Sequence, residues 1–184
     1  MDQFIITNIS LLNKNNVIKI KIGKKIDDTI FDYTLSKKII DIFIDNCRKK
    51  SIHFTKSVNS TIYKYLNNRV EVTSGKANYY LYKTLDYCMV ETKRIGLVLT
   101  TNNIVNTNIQ SIHKYNSISY EEEYISNINN LFTITINNNV ELDNYNRVKG
   151  NNYYTISIII KKPNNHSKII NKIEEIITLI PTTI

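Results

Sequence analysis

Several short stretches of this chain alternate charged with aliphatic residues, and that spacing limits the chemistry they can do. In Val17-Ile18-Lys19-Ile20-Lys21-Ile22, a strand would put Lys19 and Lys21 on one face and three isoleucines on the other. A charged lysine donates hydrogen bonds and has no lone pair, so it attracts phosphate and cannot ligate a metal. Arg69 and Glu71 would share a face, as would Glu91 and Lys93, and cross-strand ion pairing is the ordinary use of such pairs. Glu121-Glu122-Glu123 is the only acidic cluster. Hard cations take several carboxylate oxygens, but neighbours on a strand point opposite ways, so Glu121 and Glu123 are the metal candidates there. A solvated turn is the plainer expectation for these glutamates. Tyr79, Tyr80, Tyr82 and Tyr87 interleave with Lys76, Lys83 and Lys93, the composition of a platform for single-stranded nucleic acid. His53, His113 and His166 stand in separate segments and read as surface or turn residues. The chain has no Gly-rich phosphate loop, no paired CxxC, no His-Glu-x-x-His and no nucleophile elbow.

The elements that must position these residues follow from periodicity. Phe4 to Leu12 fits either a strand or a short helix. Val17 to Ile22 is a strand ended at Gly23; lysine on its polar face would equally suit an ordinary exposed edge. A helix capped by Thr34 or Ser36 runs to about Lys50, with Leu35, Ile39, Ile42, Phe43 and Cys47 on one face. Short strands are expected at Ile52 to Thr55, Arg69 to Val72, Tyr79 to Leu85, Tyr87 to Leu99, Ile112 to Tyr120 and Phe132 to Ile136. Thr61 to Leu66 fits a strand or a helical turn. Ser74-Gly75, Thr100 to Asn108, Asn137 to Asn139 and Asn144 to Asn152 read as turns or loops, the last holding Arg147 and Lys149. Tyr153 to Ile160 is a two-faced strand with Ile156, Ile158 and Ile160 on one side and Thr155 and Ser157 on the other. After Lys161-Lys162-Pro163, Ser167 caps a helix whose apolar face is Ile169, Ile170, Ile173, Ile176, Ile177 and Ile180, stopped at Pro181.

Together these elements predict one α+β domain over residues 1–184, rich in antiparallel strands, with a helix after the first clear strand and a C-terminal helix. A barrel with a polar interior and a sandwich with one wet face both produce this alternation. With 24 Lys and Arg against 16 Asp and Glu, the formal net charge of +8 favours nucleic acid, polyphosphate or acidic partners. The abundance of Ile, Asn, Lys and Tyr also fits AT-rich coding, as in a compact or viral genome. Two cysteines are too few for a disulfide framework or a zinc site, so a reduced setting, the cytoplasm or a virion, is expected. No signal peptide and no transmembrane helix are expected, and no membrane partner.

The order of these pieces resembles the triphosphate tunnel metalloenzyme family, in particular the fungal and large-DNA-virus RNA 5′-triphosphatases of mRNA capping. Val17 to Ile22 with Gly23-Lys24-Lys25-Ile26 is similar to the family's opening strand and its tail. Glu91-Thr92-Lys93-Arg94-Ile95 is similar to its Lys-Arg strand, and Tyr115 to Glu122 to its Ser-x-Glu-Glu strand. Tyr153 to Ile160 and the closing helix are similar to its last two elements. The resemblance covers roughly residues 17–180 in order and spacing. It implies a tunnel-like barrel and a divalent metal held by Glu-x-Glu pairs on the first and last strands. This chain has Lys19 and Lys21, and Thr155 and Ser157, at those places. The family's late Arg-x-Lys-x-Arg strand is also missing, unless Arg147-Val148-Lys149 is its remnant.

The expectation is therefore a degenerate tunnel domain that binds RNA 5′ ends or polyphosphate, or a capping or transcription protein, without catalysis or cofactor. Lys19, Lys21, Arg69, Lys93, Arg94, Lys114, Arg147 and Lys149 are the candidate phosphate or nucleic-acid contacts. Two alternatives stay open: an interaction domain with no tunnel, and an active Mg²⁺- or Mn²⁺-dependent phosphohydrolase using Glu71, Glu91 and the Glu121 cluster. Oligomeric state is left open.

Overall fold

A computed structural model gives the fold. It describes every residue except 28, 66–67, 92–94, 107–116, 146, 162–165 and 182–184, together with the backbone but not the side chains at 58, 65, 68, 166 and 167. The elements in order are α1 (Asp2–Ile9), β1 (Asn16–Lys25), β2 (Phe31–Asp32), α2 (Lys37–Lys49), β3 (Thr55–Tyr65), β4 (Asn68–Thr73), β5 (Lys76–Glu91), β6 (Gly96–Asn106), β7 (Ser117–Ile128), β8 (Phe132–Leu142), β9 (Tyr153–Ile160) and α3 (His166–Thr178). All pairings are antiparallel and run β1-β6-β5-β4-β3-β7-β8-β9, and β9 returns to β1, closing an eight-stranded barrel. Closure leaves no edge among these strands, so the lysines of β1 are not edge guards. The two-residue β2 pairs only with the end of β1.

The period-2 pattern of β1 and β9 decides what lies inside and outside. Ile18, Ile20 and Ile22 pair with Ile160, Ile158 and Ile156, and all six are fully buried. They join Leu97 and Leu99 of β6 and Ile134 and Ile136 of β8 in one apolar layer on the outer face of the barrel. α2 covers this layer with Ile40, Phe43 and Cys47, and α3 covers it with Ile169, Ile173, Ile176 and Ile177, joined by Ile180 just beyond its end. Burying one such side chain is worth about 1.5–3 kcal/mol, so this layer supplies most of the apolar driving force. The Ser36 hydroxyl caps α2 by accepting from the Ile39 N–H, as the capping rule predicts. Ile42, expected on the buried face of α2, is 40% exposed, because the face that packs follows Ile40, Phe43 and Cys47.

Three loop expectations are corrected. Thr100 to Asn106 continues β6, Asn137 to Leu142 continues β8, and the acidic triplet lies in the middle of β7 rather than in a turn. The physical reason is lateral satisfaction of the polar side chains. Asn103 Nδ2 donates to Asn16 Oδ1 at 2.6 Å, Asn138 Nδ2 to Glu122 at 3.2 Å and Asn137 Nδ2 to Glu121 at 3.3 Å. A strand whose asparagines find cross-strand partners does not need the turn geometry they favour alone. The ambiguous start of the chain is a helix, α1. Its buried Asn8 accepts from Thr101 at 2.7 Å and donates to Asp86 at 2.7 Å, which pins it to β5 and β6.

Candidate functional site

The inner face of the barrel is polar. β1 contributes Lys19 and Lys21, which stand opposite Ile159 and Ser157 of β9 on one side and Thr100 and Val98 of β6 on the other. Thr155 follows Ser157 in the same inward register and pairs with Asn137 of β8. Lys19, Lys21, Thr155 and Ser157 thus share one lumen wall, while the isoleucines between them point out to the helices. Across the lumen, β3, β4 and β7 bring Lys64, Arg69, Glu71, Glu121 and Glu123 to the same interior.

Arg69 is the hub of the far wall. Its Nη2 donates to Glu121 Oε2 at 3.1 Å and lies 3.9 Å from Glu71. Lys64 Nζ lies 3.6 Å from the other oxygen of Glu121. Ser60 joins the cluster by donating to Glu71 at 2.9 Å. Burial opposes the charge on Glu121, but Arg69, Lys64 and Lys19 outweigh it and hold the carboxyl below its usual range. For Glu123 burial outweighs its hydrogen bond to Ser57 and, with Glu71 adding repulsion against the weaker pull of Lys19 and Arg69, pushes the carboxyl up. The near wall is different. Among the described residues Lys19 makes no ion pair, and burial, with Lys21 and Arg69 adding repulsion, pushes its ammonium down to about 8. Burial and then Lys64 lower Lys21 as well. Its Nζ sits 4.4 Å from the centroid of the Tyr33 ring.

Tyr33 reaches the lumen because β2 folds over one mouth of the barrel. Gly23 and Gly96 face each other across β1 and β6 in the inward register. A Cβ on Gly23 would lie 2.1 Å from the Asp32 carbonyl oxygen, and one on Gly96 would lie 2.8 Å from the Phe31 ring. The glycines are there because backbone and ring occupy the space a side chain would need.

Of the sequence candidates, the structure brings together Lys19, Lys21, Arg69, Glu71, Glu121 and Glu123. Arg147 and Lys149 lie instead on the exposed β8–β9 connection, where Arg147 pairs with Asp143 at 2.9 Å, so they are no remnant of a barrel strand. Glu91 ends β5 in an exposed position opposite Gly96, at the mouth of the barrel. Lys93, Arg94, Lys114 and His113 lie outside the described residues, and His53 is exposed. The tyrosines form no single platform: Tyr80 and Tyr82 face Arg69 and the lumen, while Tyr79 and Lys83 alternate to the outside. Sequence reasoning missed Lys64, which shares the inward face of β3 with Ile62 and alternates with Tyr63. It also missed Tyr33, for which the sequence carried no signal, because a fold-back places it.

No protein-family description matches this chain, and no curated protein matches it in sequence. Its structure does have counterparts. The RNA triphosphatase Pct1 of S. pombe superposes with a TM-score of 0.73 at 6% identity, over 100% of this chain and 91% of the fungal one. The triphosphatase of the mimivirus capping enzyme superposes at 0.66 with 7% identity, over 97% of this chain and 95% of the viral one. The barrel is a triphosphate tunnel fold. The wall where the family resemblance implies paired carboxylates is the near wall of this tunnel. A divalent cation does not fit it: two ammonium groups and two hydroxyls replace the oxygen anions such a cation requires. On the far wall Glu121 is already engaged by two cations, and no group of three His, Cys, Asp or Glu among the described residues is placed to hold a metal.

Proposed function

We propose that this chain is a non-catalytic tunnel domain that binds the phosphate-bearing 5′ ends of RNA, or polyphosphate, without a divalent metal. The observation that carries this reading is the pair Lys19 and Lys21, directed into the tunnel and in no ion pair among the described residues. Attraction for phosphate is kept by such a wall, while the Lewis acid that would polarise a phosphoryl oxygen has no ligands there. Arg69 and Lys64 add positive charge across the lumen, tempered by Glu121. A solved complex of the fungal Pct1 triphosphatase with the Spt5 CTD supports a protein partner of the transcription or capping machinery for this chain too.

The test is to incubate the purified protein with 5′-triphosphate RNA, with and without Mg²⁺ or Mn²⁺, and to follow phosphate release and binding at low salt and at about 0.15 M salt. The expected result is no release and a binding that weakens with salt, less steeply than for a surface patch because tunnel charges are shielded from ions. Robust metal-dependent release would replace this reading with an enzyme using substitute carboxylates. Neither release nor binding would leave a plain interaction domain.

A further inference from the structure

We propose that the tunnel takes a single terminal phosphate group carrying two negative charges, such as the 5′-monophosphate end of an RNA, in preference to a triphosphate. This rests on the phosphate reading of the tunnel and specifies its ligand.

The first argument is charge balance among the described residues. Arg69 and Lys64 are already matched by Glu121 and Glu71, at 3.1 to 3.9 Å. Among the described residues Lys19 and Lys21 form no ion pair; Glu121 attracts both from a distance, and burial with the cations around them outweighs that attraction. The Tyr33 ring covers one side of the Lys21 ammonium at 4.4 Å, but a neutral ring leaves the charge in place. Two lysines at alternate positions of one strand have Cα atoms about 6.6 Å apart, so their flexible arms can converge on one tetrahedral anion. A phosphate monoester carries about −1.5 to −2 near neutral pH, which matches them.

The second argument is what a longer anion would meet. A triphosphate end adds two phosphate groups, and any that reach the far wall must compete with Glu121 and Glu71 for Arg69 and Lys64. Glu121 is held ionised, and no cation-ligating set stands between it and the ligand. Like charges in a partly desolvated lumen repel strongly. The mouth adds a third constraint. Phe31 and Asp32 lap over the Gly23 and Gly96 end of the wall, beside Lys21, so this end of the tunnel suits a group that stops rather than a strand that passes through.

The experiment uses the whole chain without divalent metal and one short RNA sequence ending in 5′-hydroxyl, 5′-monophosphate or 5′-triphosphate. The monophosphate end should bind about tenfold or more tighter than the hydroxyl end, and at least as tightly as the triphosphate end. Lys21→Gln and Lys19→Gln, each checked for an unchanged circular-dichroism spectrum and cooperative melting, should erase the difference between monophosphate and hydroxyl ends. Because the empty site holds Lys19 near 8, calorimetry in two buffers at about pH 8.5 should show proton uptake on binding. Tighter binding of the triphosphate end would overturn this inference and leave the phosphate reading standing. Equal binding of all three ends would overturn both. A monophosphate preference that survives the folded lysine variants would place the site elsewhere and also overturn it.

Discussion

The two faces of β1 are built from the same strand and obey different rules. Outward, Ile18, Ile20 and Ile22 are fully buried beneath helices, in a layer where any well-fitting aliphatic side chain would serve. Inward, Lys19 and Lys21 line a lumen whose charges depend on one another across several strands. The outer layer stabilises the barrel through area alone, whereas the inner wall is set by pairing, and an error there leaves a charge without a partner. Substitutions on the two faces should therefore differ in kind.

The largest effect belongs to the outer layer. Ile173→Asp puts an unpaired carboxylate on the fully buried face of α3 and should cost about 4 kcal/mol or more, enough to unfold a domain of ordinary stability. Ile173→Leu should cost less than about 1.5 kcal/mol, since volume is kept. Urea denaturation of the two variants checks this. If Ile173→Asp melts like the native chain, α3 does not cover the barrel.

On the inner face, Arg69→Met removes the partner of Glu121 and should cost about 3 kcal/mol, the scale for breaking a buried pair. Adding Glu121→Gln should recover most of that loss, because the buried carboxylate, left with Lys64 alone, is then gone. A double-mutant cycle measures the recovery. Additive losses would show that the two residues do not interact.

Lys19 should behave in the opposite sense. Its folded value of about 8 lies below the usual 10.5 of a lysine, so the unfolded chain holds the proton more tightly. Below about pH 8 the charge therefore costs stability, on the order of 2–3 kcal/mol. That cost is relieved as pH rises from about 8 to about 10.5. Lys19→Met should raise the urea midpoint at neutral pH by the equivalent of about 2 kcal/mol, and the gain over the native chain should shrink as pH climbs through that window. A variant less stable than the native chain at neutral pH would show that Lys19 is paired in solution.

How much of this was legible beforehand divides along the same line. The outer layer could be read from alternation and helical spacing: isoleucines at 18, 20, 22, 156, 158, 160, 169, 173 and 176 all pack as their period demands. The inward direction of Lys19 and Lys21 could be read only together with the family resemblance, since an open edge strand has the same pattern. Partners across the lumen could not be read at all. Glu121 meets Arg69 and Lys64 because β3 pairs with both β4 and β7, and no local signal encodes that adjacency. The asparagine runs misled for a related reason: their turn preference yields when neighbouring strands supply partners.

The smallest effect sits where the two faces meet solvent, at the mouth. Tyr33 is 39% exposed, and its contact with Lys21 is a weak one between a ring face and a half-buried ammonium. Tyr33→Leu keeps an apolar side chain over the lysine but removes the ring quadrupole, and should cost about 0.5–1 kcal/mol. Tyr33→Phe keeps the ring and should cost nearly nothing if the face alone matters. A loss in the phenylalanine variant equal to that in the leucine variant would assign the contact to the hydroxyl instead. The pair also separates stability from function. The ring shares the Lys21 ammonium with any bound anion without neutralising it, so Tyr33→Leu should change RNA binding by no more than about twofold, whereas Lys21→Gln should abolish the preference for a phosphorylated end. Equal losses of binding from Tyr33→Leu and Lys21→Gln would mean that the ring itself touches the ligand, and the mouth would then belong to the binding site rather than to the wall behind it.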